Sequence, residues 1–386
     1  MKLRVFMQVP CQLLFAFIIT GCASGRSYFV SKTGSDSNDG SPGAPFRTVA
    51  RGVRQAAPGD TVLLRDGTYG NEGHISDGTG GWNGYTAPVT ISTAGTSTAW
   101  ITIKAQNKGR AILDCGTTSS ALGCDKYIYL NATAAYWSFQ GLVFTRGAFG
   151  GIGTDFGASH IQVMGCQFEY IGNWNDTTQV GEDGIGFDST ATDWWIEGNE
   201  FHDIGRTNVA NLDHGIYAEG TNVTIINNVF YNIPHGWGIQ LANGATNWLI
   251  ANNTFASPNP TQGGLIMLWR TNTNISIRNN IFYSSGSYGI DRSTSSLNGC
   301  SVDHNLVYGP SNVIKASTGC TVASNQVGAD PKFMNLSTRP YDFHLRAGSP
   351  AIGAGLSQRG VAADFEGNAR PGTAAGFDLG AYQLER

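Results

Sequence analysis

Large apolar residues recur along the central part of the chain. Aligning the chain on this recurrence gives one column, with steps of 24 to 33 residues, of Phe144, Phe168, Phe201, Phe230, Phe255, Phe282 and Val307. Further apolar residues stand five and seven positions earlier, as Ile225 and Val223 do before Phe230. Because a two-residue step keeps side chains on one face of a strand, the pattern predicts short strands with a shared inward face.

A second apolar column keeps the same register. Its members are Ile152, Ile185, Ile216, Ile239, Ile266, Ile290 and Ile314. Two independent columns in step predict a solenoid in which each repeat forms one coil. Extra residues precede Ile185 and Ile216, and in a solenoid such insertions gather as loops on one side, where they often wall a groove.

A row of asparagines lies two residues before the first column. It comprises Asn199, Asn228, Asn253, Asn280 and Asn305. Side chains stacked in this way can bond to their copies in the next coil, so we assign these asparagines a structural role.

The two ends of the repeat array differ from its middle. Residues 49–57 carry a helical apolar period that ends at Pro58, and a short helix there would cover the open edge of the first coil. The sequence therefore predicts an all-β fold, a parallel β-helix over residues 61–327, with an N-terminal strand and capping helix over residues 22–60. Residues 328–386 are expected to form a C-terminal cap segment. The expected hand is right, as for parallel crossovers in general.

Composition agrees with this fold and narrows the choice of partners. The chain has 52 glycines and only 13% charged residues, which is typical of many short strands and tight turns. A net charge of −4 offers no basic surface, so nucleic acid is not an expected partner.

The first residues resemble a bacterial lipoprotein signal peptide. Lys2 and Arg4 precede an apolar run that is shorter than the ~20 residues needed to span a bilayer, and Thr20-Gly21-Cys22 follows. The resemblance implies that residues 1–21 are removed and that Cys22 carries a lipid. The protein would then be exported and anchored to the outer membrane or cell surface. The alternatives are an ordinary secretion signal and a short membrane anchor.

Export would permit disulfides. Cys115 and Cys124 bracket a small loop that a disulfide could close. Cys300 and Cys320 begin consecutive repeats, which places their Cα atoms about 4.8 Å apart, within disulfide range. Cys166 is left as a buried thiol, and the cysteines and histidines show no zinc spacing.

Three acids fall three residues after the isoleucine column. They are Asp155, Asp188 and Glu219, on what should be successive coils roughly 4.8 Å apart. Like charges at this spacing require a bound cation, for which we expect Ca²⁺, or a raised pKa.

Further polar and aromatic residues cluster around the same coils. The candidate catalytic residues are Asp213, His214, Tyr217, Glu219 and His235, and the candidate substrate-binding residues are Trp237, Gln240, Trp269 and Arg270. Aromatic rims suit the apolar faces of sugar rings, and arginine suits a uronate carboxylate. The competing interpretation is a turn-rich surface on which Asp and His bond to nearby backbone groups.

Both ends of the mature chain resemble known β-helix proteins. The stretch YFVSKTGSDSNDG and the later WITIKAQNKGRAILDCG resemble the N-terminal part of secreted proteins related to pectate, alginate and chondroitin lyases. The signatures DFHL, GSPAI and DLGAY resemble the C-terminal segment of exported bacterial β-helix proteins. The resemblance implies a right-handed β-helix and a carbohydrate-active enzyme, most simply a monomeric polysaccharide lyase on an acidic glycan.

Eliminative cleavage of a uronate polymer requires a neutralised carboxylate, a base at C5 and a proton for the leaving oxygen. A cation bound by the three acids, or Arg270, would neutralise the carboxylate. His214 or His235 would be the base, and Tyr217 would give the proton to the leaving oxygen. C5 epimerisation is one alternative, since Asp213-His214 with Tyr217 loosely resembles the Asp-Pro-His site of mannuronan epimerases but lacks the proline. Hydrolysis by Asp188 with Glu219 is another. A non-catalytic glycan-binding or structural surface lipoprotein is the third.

Overall fold

The computed structural model describes residues 25–70, 87–116, 124–154, 156–172, 181–206, 211–257, 264–284, 286–293, 296–358, 360–371 and 376–384. Over these residues the chain forms one helix, α1 (Val49–Gln55), and 33 strands. In chain order the strands are β1 (Ser27–Val30), β2 (Thr61–Leu64), β3 (Gly67–Tyr69), β4 (Val89–Ile91), β5 (Ile101–Ala105), β6 (Ala111–Asp114), β7 (Lys126–Leu130), β8 (Ala135–Gln140), β9 (Leu142–Thr145), β10 (Gly150–Gly153), β11 (Ser159–Met164), β12 (Gln167–Glu169), β13 (Glu182–Phe187), β14 (Thr192–Glu197), β15 (Glu200–His202), β16 (Asp213–Ala218), β17 (Thr221–Ile226), β18 (Val229–Tyr231), β19 (Ile239–Leu241), β20 (Thr246–Ala251), β21 (Thr254–Ser257), β22 (Ile266–Leu268), β23 (Asn272–Arg278), β24 (Ile281–Ser284), β25 (Tyr288–Arg292), β26 (Leu297–Asn298), β27 (Cys300–Asp303), β28 (Leu306–Tyr308), β29 (Asn312–Ile314), β30 (Cys320–Ala323), β31 (Gln326–Val327), β32 (Phe333–Asn335) and β33 (Asp342–Leu345).

Three long parallel sheets run the length of the molecule. Sheet A has the order β1-β2-β5-β8-β11-β14-β17-β20-β23-β27-β30, with β26 paired to β23. Sheet B has the order β4-β7-β10-β13-β16-β19-β22-β25-β29, and sheet C the order β3-β6-β9-β12-β15-β18-β21-β24-β28-β31. Each central coil takes one strand from sheets B, A and C in turn, so every strand pairs with its copy one coil away. This topology confirms the predicted parallel β-helix.

The predicted inward columns are also confirmed. The rings from Phe144 to Phe282 stack on one another in sheet C with centroids 4.7 to 5.2 Å apart. In sheet B the isoleucines from Ile152 to Ile314 pair coil by coil and are buried. Register is fixed because a slip of one residue would turn every such side chain outward.

The asparagine row forms a buried hydrogen-bonded ladder. The side-chain oxygen of Asn253, for example, accepts from both the backbone N–H and the side-chain amide of Asn228, at 2.9 and 3.0 Å. The same pattern runs from Asn199 to Asn305 and continues to Asn325. The structural role predicted for these residues is therefore confirmed.

Five of the seven isoleucines in the sheet B column follow a glycine, and the glycine has a steric cause. A Cβ atom built on Gly151 would lie 2.7 Å from the ring of Phe168, and one on Gly238 would lie 2.8 Å from the ring of Phe255. At these two positions a side chain would press on the phenylalanine stack.

Helix α1 covers the N-terminal edge, as expected. Thr48 caps it by accepting from the backbone N–H of Arg51, and Val49 and Val53 are buried. The helix ends two residues earlier than predicted, where Ala56 takes an extended conformation.

The C-terminal segment packs along the side of the coils. Its Phe333, Phe343 and Leu345 form an apolar cluster with Ile281 and Leu306, which point outward from sheet C. On the last coil, Val322 and Val327 occupy inward columns but are 38% and 48% exposed. The described part of the segment thus lies against a lateral face.

The cysteine predictions hold in the described residues. Cys115–Cys124 and Cys300–Cys320 are disulfides with Cα atoms 4.9 and 4.3 Å apart, and Cys166 is a buried free thiol. Residues 1–21 and Cys22 lie outside the described residues, so signal and lipid anchor stay predictions. In the described part of the chain, no helix has the length and apolarity of a membrane span.

Replacing Gly151 by alanine tests the packing at the corner. The new methyl group would press on the ring of Phe168, so we expect a loss of about 1–3 kcal/mol in the free energy of unfolding, measured by denaturant titration. The matched control is Gly43→Ala, where an added Cβ meets no atom within 4 Å. Equal stability of the two variants would contradict this account of the Gly-Ile repeat.

Candidate functional site

A groove of about 710 Å³ lies on the outer face of sheet B. It is lined by Gly181, Asp183, Asn211, Leu212, His214, Tyr217, Trp237, Gln240, Met267, Trp269, Asp291 and Ser293. Most of these side chains come from two outward columns, one residue after and two residues before the isoleucines. The column after them runs through Tyr217, Gln240, Met267 and Asp291 on adjacent strands.

The groove brings together part of the predicted set. Five predicted residues line it, namely His214, Tyr217, Trp237, Gln240 and Trp269. Asp213, Glu219, His235 and Arg270 do not line it, and Asp155 lies outside the described residues.

Asp213, which was predicted to be catalytic, does not line the groove. Its carboxylate is fully buried and accepts from Arg206, with an Nη2–Oδ1 distance of 2.7 Å. Arg206 is also fully buried and lies 3.0 Å from the buried Glu182 carboxylate. The arginine thus joins strands β13 and β16 at their first residues, and the two acids are structural.

His214, one of the two predicted bases, lies in the groove wall with a neutral ring. It is 1% exposed, and its Nδ1 accepts from the backbone N–H of Trp237 at 3.1 Å. In the neutral ring the proton therefore sits on Nε2, so this second ring nitrogen is a hydrogen-bond donor. Burial lowers the pKa of His214 to about 3, so the ring stays neutral at ordinary pH.

Tyr217 is suited to donate a proton, as predicted from the sequence. Burial, followed by the negative charges of Glu219 and Asp183, raises the pKa of Tyr217 to about 12. Its ring stacks on His214 with centroids 5.7 Å apart, and His214 in turn lies 5.3 Å from Trp237.

Asp183 is the groove residue that was missed in the sequence. It is buried, with 9% of its surface exposed, and its Oδ1 accepts from the backbone N–H of His214 at 3.2 Å. Burial and then the charge of Asp213 raise its pKa well above the usual value, while Lys126, the His214 N–H and Arg206 act in the opposite sense. Asp183 pairs with His214 across adjacent strands, so the shared column could have indicated it.

Lys126 approaches Asp183 across a strand of glycines. Lys126 and Asp183 both pair with Gly150, one on each side. A Cβ built on Gly153 would lie 2.7 to 3.0 Å from Cδ, Cε and Nζ of Lys126, so the lysine side chain occupies the space that this glycine leaves open. The glycines of β10 thus leave space for the Lys126 side chain, whose charge acts on the Asp183 carboxylate from one strand further away.

The three predicted metal ligands are not assembled as such in the described residues. Burial and then Asp188 raise the pKa of Glu219, which confirms that the two acids are electrostatic neighbours. However, Asp188 accepts hydrogen bonds from the backbone and hydroxyl of Thr190. Among the described residues, no group of three or more Asp, Glu, His or Cys side chains could hold a metal ion. Asp155 lies outside the described residues, so the calcium site stays a prediction, and we assign no step to Ca²⁺.

The far end of the groove combines aromatic and charged groups. Arg270 lies over the ring of Trp269, with 4.3 Å from Cζ to the centroid. Its charge lowers the pKa of both Tyr217 and Glu219, so the guanidinium lies within electrostatic reach of the groove. Asp291 forms an ion pair of 3.1 Å with Lys315.

Comparisons with known proteins agree with the fold. Residues 28–183 match a family model described as Pel9A-like, right handed beta helix region, and residues 151–327 match one described as Right handed beta helix region. Pectate lyase L of Dickeya chrysanthemi is 28% identical over 134 residues, which are 35% of this chain and 29% of that protein. The matched part thus spans less than a third of that relative.

Two solved structures share the fold. The crystal structure of pectate lyase Pel9A is 18% identical, with a TM-score of 0.54 over 95% of this chain and 98% of that one. A glycoside hydrolase is 9% identical, with a TM-score of 0.55 over 79% of this chain and 95% of that one. The chain is therefore an all-β, right-handed parallel β-helix protein with a pectate-lyase-like fold. Within that class, its matches in sequence include pectate lyases.

The buried ion cluster can be tested by removing its cation. Arg206→Met would leave the buried carboxylates of Glu182 and Asp213 without the guanidinium that balances their charge, and we expect a loss of about 3–5 kcal/mol in stability. Adding Glu182→Gln and Asp213→Asn should restore part of it, because the buried charges are then gone. Denaturant titration measures both, with exposed Arg110→Met as the control. A wild-type midpoint for Arg206→Met would show that the cluster does not hold the two strands.

Proposed function

We propose that this protein is a polysaccharide lyase that cleaves an acidic, uronate-containing glycan by β-elimination in the groove on sheet B. The observation that carries the proposal is the placement of Asp183, His214 and Tyr217 side by side in a groove that continues past Trp237 and Trp269. Acid and base groups next to aromatic rings are what a sugar-cleaving site requires.

Asp183 is the general base in this proposal. A base works best when its pKa lies near the working pH, and burial beside Asp213 moves the pKa of Asp183 in that direction. The positive charge of Lys126 opposes this effect in part, while the net shift of the pKa stays upward. In β-elimination Asp183 would take the proton from C5 of the uronate.

Tyr217 is the general acid. Its hydroxyl keeps its proton over the whole ordinary pH range and can pass it to the departing oxygen. The Nε2–H of His214, next to the tyrosine ring, supplies a neutral hydrogen-bond donor to the sugar. Arg270, which lies over the ring of the groove residue Trp269, would pair with the uronate carboxylate at the edge of the groove, since a guanidinium binds a carboxylate through two parallel hydrogen bonds.

Hydrolysis is the second candidate function. Glu219 and Asp188 are neighbouring carboxylates, and the raised pKa of Glu219 would suit a general acid with Asp188 as its ionised partner. This pair lies outside the groove lining, so we rank hydrolysis below elimination. An epimerase would share the first step of the lyase, and a glycan-binding protein would share only the groove.

The reaction products separate these functions. Incubation with pectate, alginate and glycosaminoglycans should give ultraviolet absorbance from an unsaturated uronate with at least one polymer. Tyr217→Phe and Asp183→Asn should each lower kcat by about 100-fold or more, as expected for loss of an acid or base. New reducing ends without this absorbance would indicate hydrolysis, and glycan binding without either would refute an enzyme altogether.

The pH profile tests the base. Asp183 must be ionised to accept a proton, so kcat/KM should fall as the pH drops below its raised pKa, whereas Tyr217 stays protonated up to about pH 12. Lys126→Met removes a charge that lowers the pKa of Asp183, so the acidic limb should move to higher pH. Lys104→Met, an exposed lysine on sheet A, is the matched control. An acidic limb that stays in place would argue against Asp183 as the base.

A further inference from the structure

Two buried polar atoms in the groove lack a hydrogen-bond partner. The side chains of Trp237 and Gln240 are 6% and 7% exposed, and both line the groove. The indole N–H of Trp237 and the side-chain oxygen of Gln240 form no hydrogen bond within the described residues. One is a donor and the other an acceptor, and they belong to the same coil.

Three other polar groups of the groove wall have partners. Asp183 accepts from the His214 backbone, the His214 ring accepts from the Trp237 backbone, and Asp291 pairs with Lys315. Leaving a buried donor or acceptor unpaired is unfavourable, because the group has lost water and gained no partner. A ligand group that completes both would recover this free energy on binding, which makes the pair a recognition element.

We propose that Trp237 and Gln240 bind one hydroxyl group of the glycan, with the indole N–H donating to the hydroxyl oxygen and the Gln240 carbonyl accepting the hydroxyl hydrogen. This inference rests on the proposed function and adds a property of the substrate. The sugar at this position presents a free hydroxyl and keeps its carboxylate elsewhere.

The chemistry of the pair selects a hydroxyl over a charged group. A carboxylate only accepts, so it would face the Gln240 oxygen with like partial charge. An ammonium only donates, so it would leave the Trp237 N–H unpaired. A hydroxyl donates one hydrogen bond and accepts others. An N-acetyl group also has one donor and one acceptor, which makes an N-acetylated sugar the ligand to compare.

The surroundings place this hydroxyl next to the reacting sugar. Gln240 pairs with Tyr217 on one side and Met267 on the other. One coil is about 4.8 Å, so the hydroxyl lies about that far from the proposed acid. The Trp237 ring is held against the imidazole of His214, 5.3 Å between centroids, which fixes the direction of the indole N–H.

The test measures binding by calorimetry with the full chain carrying Tyr217→Phe, so that ligands are not consumed. The probes are short oligouronides from pectate and alginate, the same oligouronides after O-acetylation, and a hyaluronan oligosaccharide. Trp237→Phe keeps the ring but removes the N–H, and Gln240→Met keeps the size but removes the oxygen. Each should weaken binding of an unsubstituted oligouronide by about tenfold or more. The loss should shrink for the O-acetylated form, in which the hydroxyl is gone.

Matched substitutions away from the groove serve as controls. Trp195→Phe on sheet A and Gln106→Met at an exposed turn should leave the affinities within about twofold. Thermal unfolding of all variants separates loss of binding from loss of structure, and Gln240→Met stands as a second test if Trp237→Phe does not fold.

Each outcome decides the inference. Unchanged affinity in both groove variants, while the protein with its native Tyr217 still forms unsaturated product, would overturn the hydroxyl assignment. The lyase proposal would then still stand. If the two groove variants lose affinity only for the hyaluronan oligosaccharide, the group that the pair binds is an N-acetyl group and not a hydroxyl. If the Tyr217→Phe protein binds none of the probes and the protein with its native Tyr217 forms no product, the proposed function fails and the inference with it. If binding depends on Trp237 and Gln240 but no product forms, the lyase proposal fails and the hydroxyl assignment stands.

Discussion

The parallel pairing of each strand with its copy one coil away is the constraint on which the structure depends. Backbone hydrogen bonds hold neighbouring strands about 4.8 Å apart in fixed register, so every sequence position becomes a column. The phenylalanine stack and the asparagine ladder fill the inward columns and hold that register along the axis. The outward columns inherit the same alignment, and this brings acid, base and aromatic side chains together on sheet B.

Electrostatics in the groove depends on groups that never touch its surface. Arg206 balances two fully buried carboxylates at the start of β13 and β16, and one of them, Asp213, raises the pKa of Asp183. Lys126 acts from the other side across the glycines of β10. The protonation of the proposed base is thus set by a buried acid and a distant cation that oppose each other.

Sequence reasoning succeeded where a feature repeats in every coil. Phe230 and Asn253 have counterparts above and below them, so periodicity alone predicted their burial and their partners. The strands that carry Tyr217 and Gln240 were placed correctly for the same reason, because the inward isoleucine of each strand fixes which neighbours face outward.

The contacts that the sequence did not predict concern residues that occur once. Asp213 was expected to be catalytic because nothing in the spacing shows that the side chain of Arg206, seven residues earlier, bonds to its carboxylate. The sequence did not assign Asp183 a role, because its electrostatic environment depends on Lys126. Lys126 is 57 residues away in sequence and lies on the other side of the glycine-rich strand β10. Tertiary contacts of this kind have no period and therefore leave no trace in a repeat alignment.

The outward column of the groove also has an evolutionary consequence. Each coil contributes a single side chain to it, so Tyr217, Gln240, Met267 and Asp291 are successive positions along a ruler aligned with the helix axis. Duplication of one coil would lengthen the groove by one position and preserve the order of all the others. The length of the groove and the side chain at any one position of it can therefore change as two separate inherited traits.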